Sequence, residues 1–247
     1  MWGFCMGMSA ALSATLCFRS REGDLVKDAE WLGVPLDTLR AAVPWRTFRW
    51  SKGQKHYSGT YWSATQCDHV IYESRLELAR LLFADFDTSV LGIIAQPFLL
   101  AVTLDGAARR HVPDFLLLTT TGPVIVDVKP AHRVTATRVA VTFAWTRQVV
   151  ESRGWRYEVW SEPPTSRLEN IRLLAGYRRP WLFDQHLTNA LMSEPFDGVS
   201  LTDVISRQSR WPEQSVKATV LHLLWKQHFA TDLDHPLSRG HLLWTPT

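Results

Sequence analysis

The chain has 247 residues, 46% of them hydrophobic and 21% charged. That balance excludes a disordered chain, and the length suits one domain with appendages or two small ones. A net charge of +3 is a mild basic lean, compatible with nucleic acid as a partner but too small to require one. The three cysteines, Cys5, Cys17 and Cys67, are odd in number and lack metal-ligand spacing, so they read as reduced thiols of a cytoplasmic protein. Twelve tryptophans suggest packed helices and stacking surfaces.

Residues 1–18 are apolar and uncharged but lack the basic flank of a signal peptide. They are expected to be a poorly ordered start or a segment upstream of the initiation site. No other stretch suits a bilayer span, so no membrane partner is expected. Residues 1–66 read as a basic and aromatic amino-terminal arm, and 19–66 have little regular periodicity. Between positions 38 and 67 there is no acidic residue, while Arg40, Arg46, Arg49, Lys52 and Lys55 alternate with Trp45, Phe48, Trp50, Tyr57, Tyr61 and Trp62. Cations neutralise phosphates and aromatic faces stack on bases, so Arg46, Arg49, Lys52 and Lys55 are candidate DNA contacts. A solvated arm whose aromatics pack back onto a core fits the same pattern.

From 67 to 162 the pattern is that of an α/β core. Asp68 suits the cap of a helix over 69–86, with Val70, Leu78, Leu81 and Leu82 at helical spacing. Strands are expected over 89–96 and 98–104, then after the Asp105-Gly106 turn over 111–119. A tight turn over 120–123 leads to a strand over 124–129, stopped by Pro130. A helix over 134–152 closes at Gly154, and 155–160 reads as a last strand. Helix, strands, helix, strand imply a mixed sheet. Pro163 and Pro164 mark a joint. Beyond it, 166–247 is mainly helical, with helices over 168–175, 201–207 and 213–227, the basic Arg178-Arg179-Pro180, and a tail over 229–243 that suits a β-wing. A winged helix-turn-helix and a generic helical cap both fit this segment.

Two short segments carry the chemistry, Pro113-Asp114-Phe115 and Val126-Asp127-Val128-Lys129-Pro130. Side chains alternate along a strand, so Asp127 and Lys129 share a face. With Thr120 and Thr121 as a two-residue hairpin loop, Thr119 opposes Gly122, and counting outward sets Asp114 opposite Asp127. Two facing carboxylates repel unless a cation lies between them, and carboxylate oxygens are what Mg²⁺ and Mn²⁺ prefer. Lys129 beside such an ion would orient a water or stabilise phosphoryl charge. Glu73 and Glu77 share one helix face and offer a third carboxylate. The plainer reading is that both are solvated and pair with Arg75 or Arg80.

Pro113-Asp114 followed by Asp127-Val128-Lys129 resembles the PD-(D/E)XK nuclease signature. More narrowly, Ser74-Arg75-Leu76-Glu77-Leu78, Gln96-Pro97-Phe98, Pro113-Asp114-Phe115-Leu116, Val126 to Pro130 and Gly154-Trp155-Arg156-Tyr157 resemble the TnsA-like endonuclease subunit of heteromeric transposases. The resemblance covers about residues 60 to 160 well and the flanks weakly. It implies a restriction-endonuclease-like core in αβββαβ order with a carboxy-terminal helical or winged-helix domain. Carried over by motif, Glu77, Asp114 and Asp127 would hold Mg²⁺, with Mn²⁺ as a substitute, and Lys129 would be the catalytic lysine. It further implies double-stranded DNA at transposon ends as substrate, with a DDE-type transposase and an AAA+ ATPase regulator as partners. The other readings are a self-sufficient restriction or repair endonuclease and a non-catalytic winged-helix DNA-binding or assembly protein.

Overall fold

The computed structural model describes residues 13–46 and 57–246. In chain order the elements begin with β1 (Ala14–Arg19), β2 (Leu25–Glu30), α1 (Leu36–Arg40), β3 (Gly59–Ser63), β4 (Asp68–Tyr72) and α2 (Arg75–Phe86). There follow β5 (Val90–Ala95), β6 (Leu99–Leu104), β7 (Ala107–His111), β8 (Phe115–Thr119), β9 (Gly122–Val128), α3 (Ala131–Val134), α4 (Thr137–Ser152) and β10 (Arg156–Trp160). The rest is α5 (Thr165–Ala175), α6 (Gln185–Met192), β11 (Val199–Ser200), α7 (Leu201–Arg207), α8 (Glu213–Trp225) and β12 (Leu242–Leu243). The chain is an α/β protein in two compact units, 1–57 with 92–161 and 58–91 with 162–247. Among the described residues no helix is long and apolar enough to cross a membrane.

The first unit holds two four-stranded sheets, ordered β2-β1-β6-β7 and β10-β9-β8-β5. In the second, β9 pairs antiparallel with β8 and parallel with β10, so the sheet is mixed as expected. A parallel neighbour requires a crossover, which α3 and α4 supply. β9 is buried from Val124 to Val128 because strands flank it on both sides.

Of the segment 1–18 expected to be poorly ordered, 1–12 lie outside the described residues and 14–18 depart from expectation. β1 alternates buried Ala14, Leu16 and Phe18 with half-buried residues and pairs with β6, Ala14 opposite Val102. This strand could not be seen locally because its partner lies some eighty residues away. Trp31, at 2% exposure, sends its indole N–H to Val149 O at 2.9 Å and meets Phe98 and Trp155 edge-on. Arg153 stacks on Trp31 and Trp155 and donates to the carbonyls of Trp31 and Val34, tying α4 to the β2–α1 loop. Ala14, Leu16, Phe18, Trp31, Val34 and Leu39 are therefore part of the first unit's core.

In the second unit, β3 and β4 form a hairpin, Gly59 opposite Tyr72 and Ser63 opposite Asp68. The expected helix over 69–86 is thus a strand followed by a shorter helix. Val70, Ile71 and Tyr72 favour the extended chain, and Ser74, whose hydroxyl accepts the Glu77 N–H at 3.1 Å, caps α2 in place of Asp68. The strand expected over 111–119 likewise splits at Val112-Pro113-Asp114 into β7 and β8. α5, α7 and α8 lie close to the expected helices, whereas α6 carries no expectation. Buried Asn170 of α5 donates to Leu233 O and His235 O and accepts from Leu237 N, so one amide pins the tail.

His222 of α8 is buried, stacks on Phe183 at 4.3 Å and sits 2.7 Å from Tyr177 O. A carbonyl only accepts, so Nδ1 carries the hydrogen. Burial holds the imidazole below its ordinary value; the Tyr177 carbonyl opposes this in part and Lys226 adds to it. The unfolded chain therefore takes up this proton first as pH falls. His222's contribution is whole above about pH 6.5 and is lost as pH drops through that value toward the folded one. Urea unfolding at successive pH values should show wild type weakening more than His222→Phe from about pH 7 to 5; parallel curves would exclude His222 as the cause.

Candidate active site

The site is built on the β8–β9 hairpin. Its loop is Thr120-Thr121, and Thr119 faces Gly122 as expected. Gly122 has φ of +108°, where a side chain would be strained. The Thr119 hydroxyl donates to Gly122 O at 2.7 Å, and Arg156 donates to the hydroxyls of Thr119 and Thr121. From there the register runs without a slip to Phe115 opposite Val126.

At Asp114 the ladder changes. Its N–H donates to Val126 O at 3.1 Å, one position short of regular pairing, and its Oδ2 accepts the Val128 N–H at 2.6 Å. The carboxylate thus takes the place of a backbone carbonyl. Asp114 O in turn accepts the Gln96 N–H at 2.8 Å. The facing pair expected from the hairpin count is therefore offset: Asp114 leans along β9 toward Val128 and does not continue the ladder to Asp127.

Asp127 is 2% exposed. On β9 it shares a face with Ile125, and on the parallel neighbour β10 Tyr157 pairs with Ile125 and Val159 with Asp127. That register sets the Tyr157 hydroxyl diagonally over the carboxylate, and it donates to Oδ2. His111, the last residue of β7, places Nε2 2.8 Å from both Oδ1 and Oδ2. Its ring lies edge-on to Phe143 and Trp145 of α4. Burial, then the negative charge of Asp127, pushes the Tyr157 phenol far above its ordinary value, so it stays protonated and donates. A buried carboxylate needs such donors to satisfy its oxygens. Nothing local in the sequence marks His111 or Tyr157 as partners of Asp127; the parallel pairing of β10 is what sets Tyr157 beside it.

Lys129 follows β9, half-buried, with its N–H on Trp160 O at 2.9 Å and its carbonyl accepting the Ser161 hydroxyl. By strand alternation it leaves the sheet on the Asp127 side. Gln96, buried with φ of +46°, binds the chain on three sides. It donates to Asp114 O, accepts the Trp45 N–H on its own carbonyl, and accepts the Arg46 N–H on Oε1 at 3.1 Å. Arg46 is thereby placed by its backbone; Arg49, Lys52 and Lys55 lie outside the described residues.

Glu77 belongs to the second unit. Its Oε2 accepts the Glu73 N–H at 2.7 Å and its Oε1 the Ser74 hydroxyl at 2.9 Å, closing a capping box at the start of α2. Among the described residues no group of three or more His, Cys, Asp or Glu is arranged to hold a metal ion. What the hairpin offers is a pair of carboxylates. Two carboxylates are a number Mg²⁺ accepts when waters and a substrate phosphate complete its shell, while both oxygens of Asp127 already meet protein donors.

Comparison with known proteins finds no family model that matches the chain and no curated protein similar to it.

Proposed function

We propose that this chain is a metal-dependent DNA endonuclease that hydrolyses phosphodiester bonds at the 5′ ends of a mobile element, as the nuclease subunit of a heteromeric transposase. The observation that carries the reading is the β8–β9 hairpin, which brings Asp114, Asp127 and Lys129 to one end of two paired strands. In this reading the mixed sheet with α4 is the heart of a restriction-endonuclease-like core. A winged-helix-like module is supported by the run α6, β11, α7, turn, α8 and a tail strand β12 that returns to β11. Double-stranded transposon ends, a DDE-type transposase and an AAA+ ATPase regulator enter through the resemblance alone.

Asp114 and Asp127 would hold Mg²⁺ or Mn²⁺ together with a substrate phosphate. When bound, the ion supplies charge stabilisation for the transferring phosphoryl group and a more acidic water. The chain's own part is positional. His111 and Tyr157 hold Asp127 fixed, the Val128 N–H holds Asp114, and Lys129 carries positive charge to the same side for the attacking water. Glu77 is the third carboxylate only by resemblance.

The test is nicking of supercoiled plasmid carrying the element's ends, in Mg²⁺ or Mn²⁺, with and without the transposase and ATPase. Cuts that need metal and vanish in Asp114→Ala and Lys129→Ala are expected; a wild-type rate in Asp114→Ala would remove the assignment. Glu77→Gln keeps an acceptor for the capping box, so cleavage lost in a stably folded Glu77→Gln would make Glu77 a ligand. A second reading, a non-catalytic DNA-binding scaffold, is favoured by one observation: both oxygens of Asp127 already bond protein donors. Calorimetry showing no Mn²⁺ uptake would support it.

A further inference from the structure

Two segments 116 residues apart converge on one surface of the second unit. Tyr61 and Trp62 come from β3, at the end of the acid-free stretch, and Arg178-Arg179-Pro180 from the linker after α5. Arg178 lies over the rings of Tyr61 and Trp62 at 4.9 and 5.6 Å, and its Nε donates to Trp62 O. That guanidinium is committed to holding the segments together. Arg179 is different: it is exposed, with its guanidinium over the Trp62 ring at 5.3 Å. Among the described residues it has no carboxylate partner. Trp181 meets Trp62 edge-on at 5.1 Å yet is 63% exposed, and Leu182 beside it is 61% exposed. The carboxylates adjoining in sequence are already engaged. Asp184 caps α6 through Leu187 N, and Asp68 accepts the His69 N–H.

Arg179 thus presents an exposed charge stacked on one tryptophan, beside a second tryptophan that is 63% exposed. The pairing matches a nucleic-acid strand, whose phosphates need cations and whose bases offer π-faces. Arginine and tryptophan also serve at protein interfaces, so a protein partner is an outcome that titration with DNA separates; the unpaired charge of Arg179 is what favours a phosphate. We propose that Trp62, Arg179 and Trp181 form a DNA-contact surface, with a strand phosphate on Arg179 and an unstacked base or sugar face on Trp181. Trp62 is the platform that fixes both. The proposal rests on DNA being the substrate, but it does not depend on the hairpin site or on metal.

The experiment is fluorescence anisotropy of a labelled duplex with a single-stranded overhang, titrated with the full chain in EDTA at several salt concentrations. Arg179→Ala should weaken binding and lower the slope of log affinity against log salt by about 1. Trp181→Ala should weaken it about tenfold with the salt slope unchanged. Both side chains are exposed, so both variants should unfold at the wild-type midpoint. Wild-type affinity in both variants, the result expected if the surface serves a protein partner instead, would overturn the proposal, as would a wild type that binds no DNA. Binding that depends on Arg179 and Trp181 in a protein that never cuts DNA would leave this surface standing and sink the nuclease reading alone.

Discussion

Exchanging Asp127 for asparagine should lower metal-dependent cleavage by about three orders of magnitude or more, since each tenfold is about 1.4 kcal/mol of transition-state stabilisation and a metal-held charge supplies several kcal/mol. Volume is kept, so packing around the 2%-exposed side chain is not the cause. What changes is the charge, and an amide group replaces one acceptor facing His111 and Tyr157. His111→Phe and Tyr157→Phe each remove one donor and leave the carboxylate. They should cost about 10- to 100-fold in metal affinity or rate, the scale of partners that orient a ligand without touching the ion. Asp127→Ala and Asp114→Ala each carry a stability penalty, about 1–3 kcal/mol for each group left unsatisfied: His111 and Tyr157 for the buried Asp127, the Val128 N–H for the half-buried Asp114. Nicking rates, Mn²⁺ calorimetry and urea midpoints measured on the same variants separate these effects. Cleavage by Asp127→Asn at the wild-type rate would take Asp127 out of the reaction and leave it as a core hydrogen-bond centre.

The hairpin was legible because it is local. A two-residue Thr120-Thr121 loop fixes the register of everything that follows on both strands, and Thr119 does face Gly122. The regular ladder stops one residue before β8, where the Asp114 carboxylate competes with backbone carbonyls for the Val128 N–H. Such side-chain competition has no periodic signature. His111 and Tyr157 were illegible for another reason: they reach Asp127 across 16 and 30 residues, through a neighbouring sheet and a parallel crossover. Ser74-Arg75-Leu76-Glu77 is a capping-box pattern on its face, and the structure closes that box. β1 and β2 escaped notice because short strands draw their stability from partners, and β1's partner is β6.

Asp85→Ala is expected to destabilise the second unit by about 3–5 kcal/mol, comparable to removing one member of a buried charged network. The carboxylate, 7% exposed near the end of α2, collects four donors. Ser63 Oγ and Thr65 N–H reach Oδ1 at 2.7 Å, while Tyr61 Oη and Ala64 N–H reach Oδ2 at 2.7 and 3.0 Å. All four come from the end of β3 and the turn into β4, so this side chain holds the β3–β4 turn on α2. Burial, with the negative charge of Asp85 next, pushes the Tyr61 phenol well above its ordinary value, which keeps it a donor. Charge-assisted bonds are worth about 1.5–3 kcal/mol each when formed, and the backbone N–H groups of Ala64 and Thr65 have no substitute once the carboxylate is gone. Tyr61→Phe removes only one donor and should cost about 1 kcal/mol, provided the ring keeps its packing under Arg178. Asp85→Asn should fall between, because its NH₂ must point at a donor whichever way it turns. Urea unfolding of the three variants gives the order directly. If Asp85→Ala cost no more than Tyr61→Phe, the turn would be held by the β3–β4 ladder instead, and the four bonds would be a consequence of that pairing and not its cause.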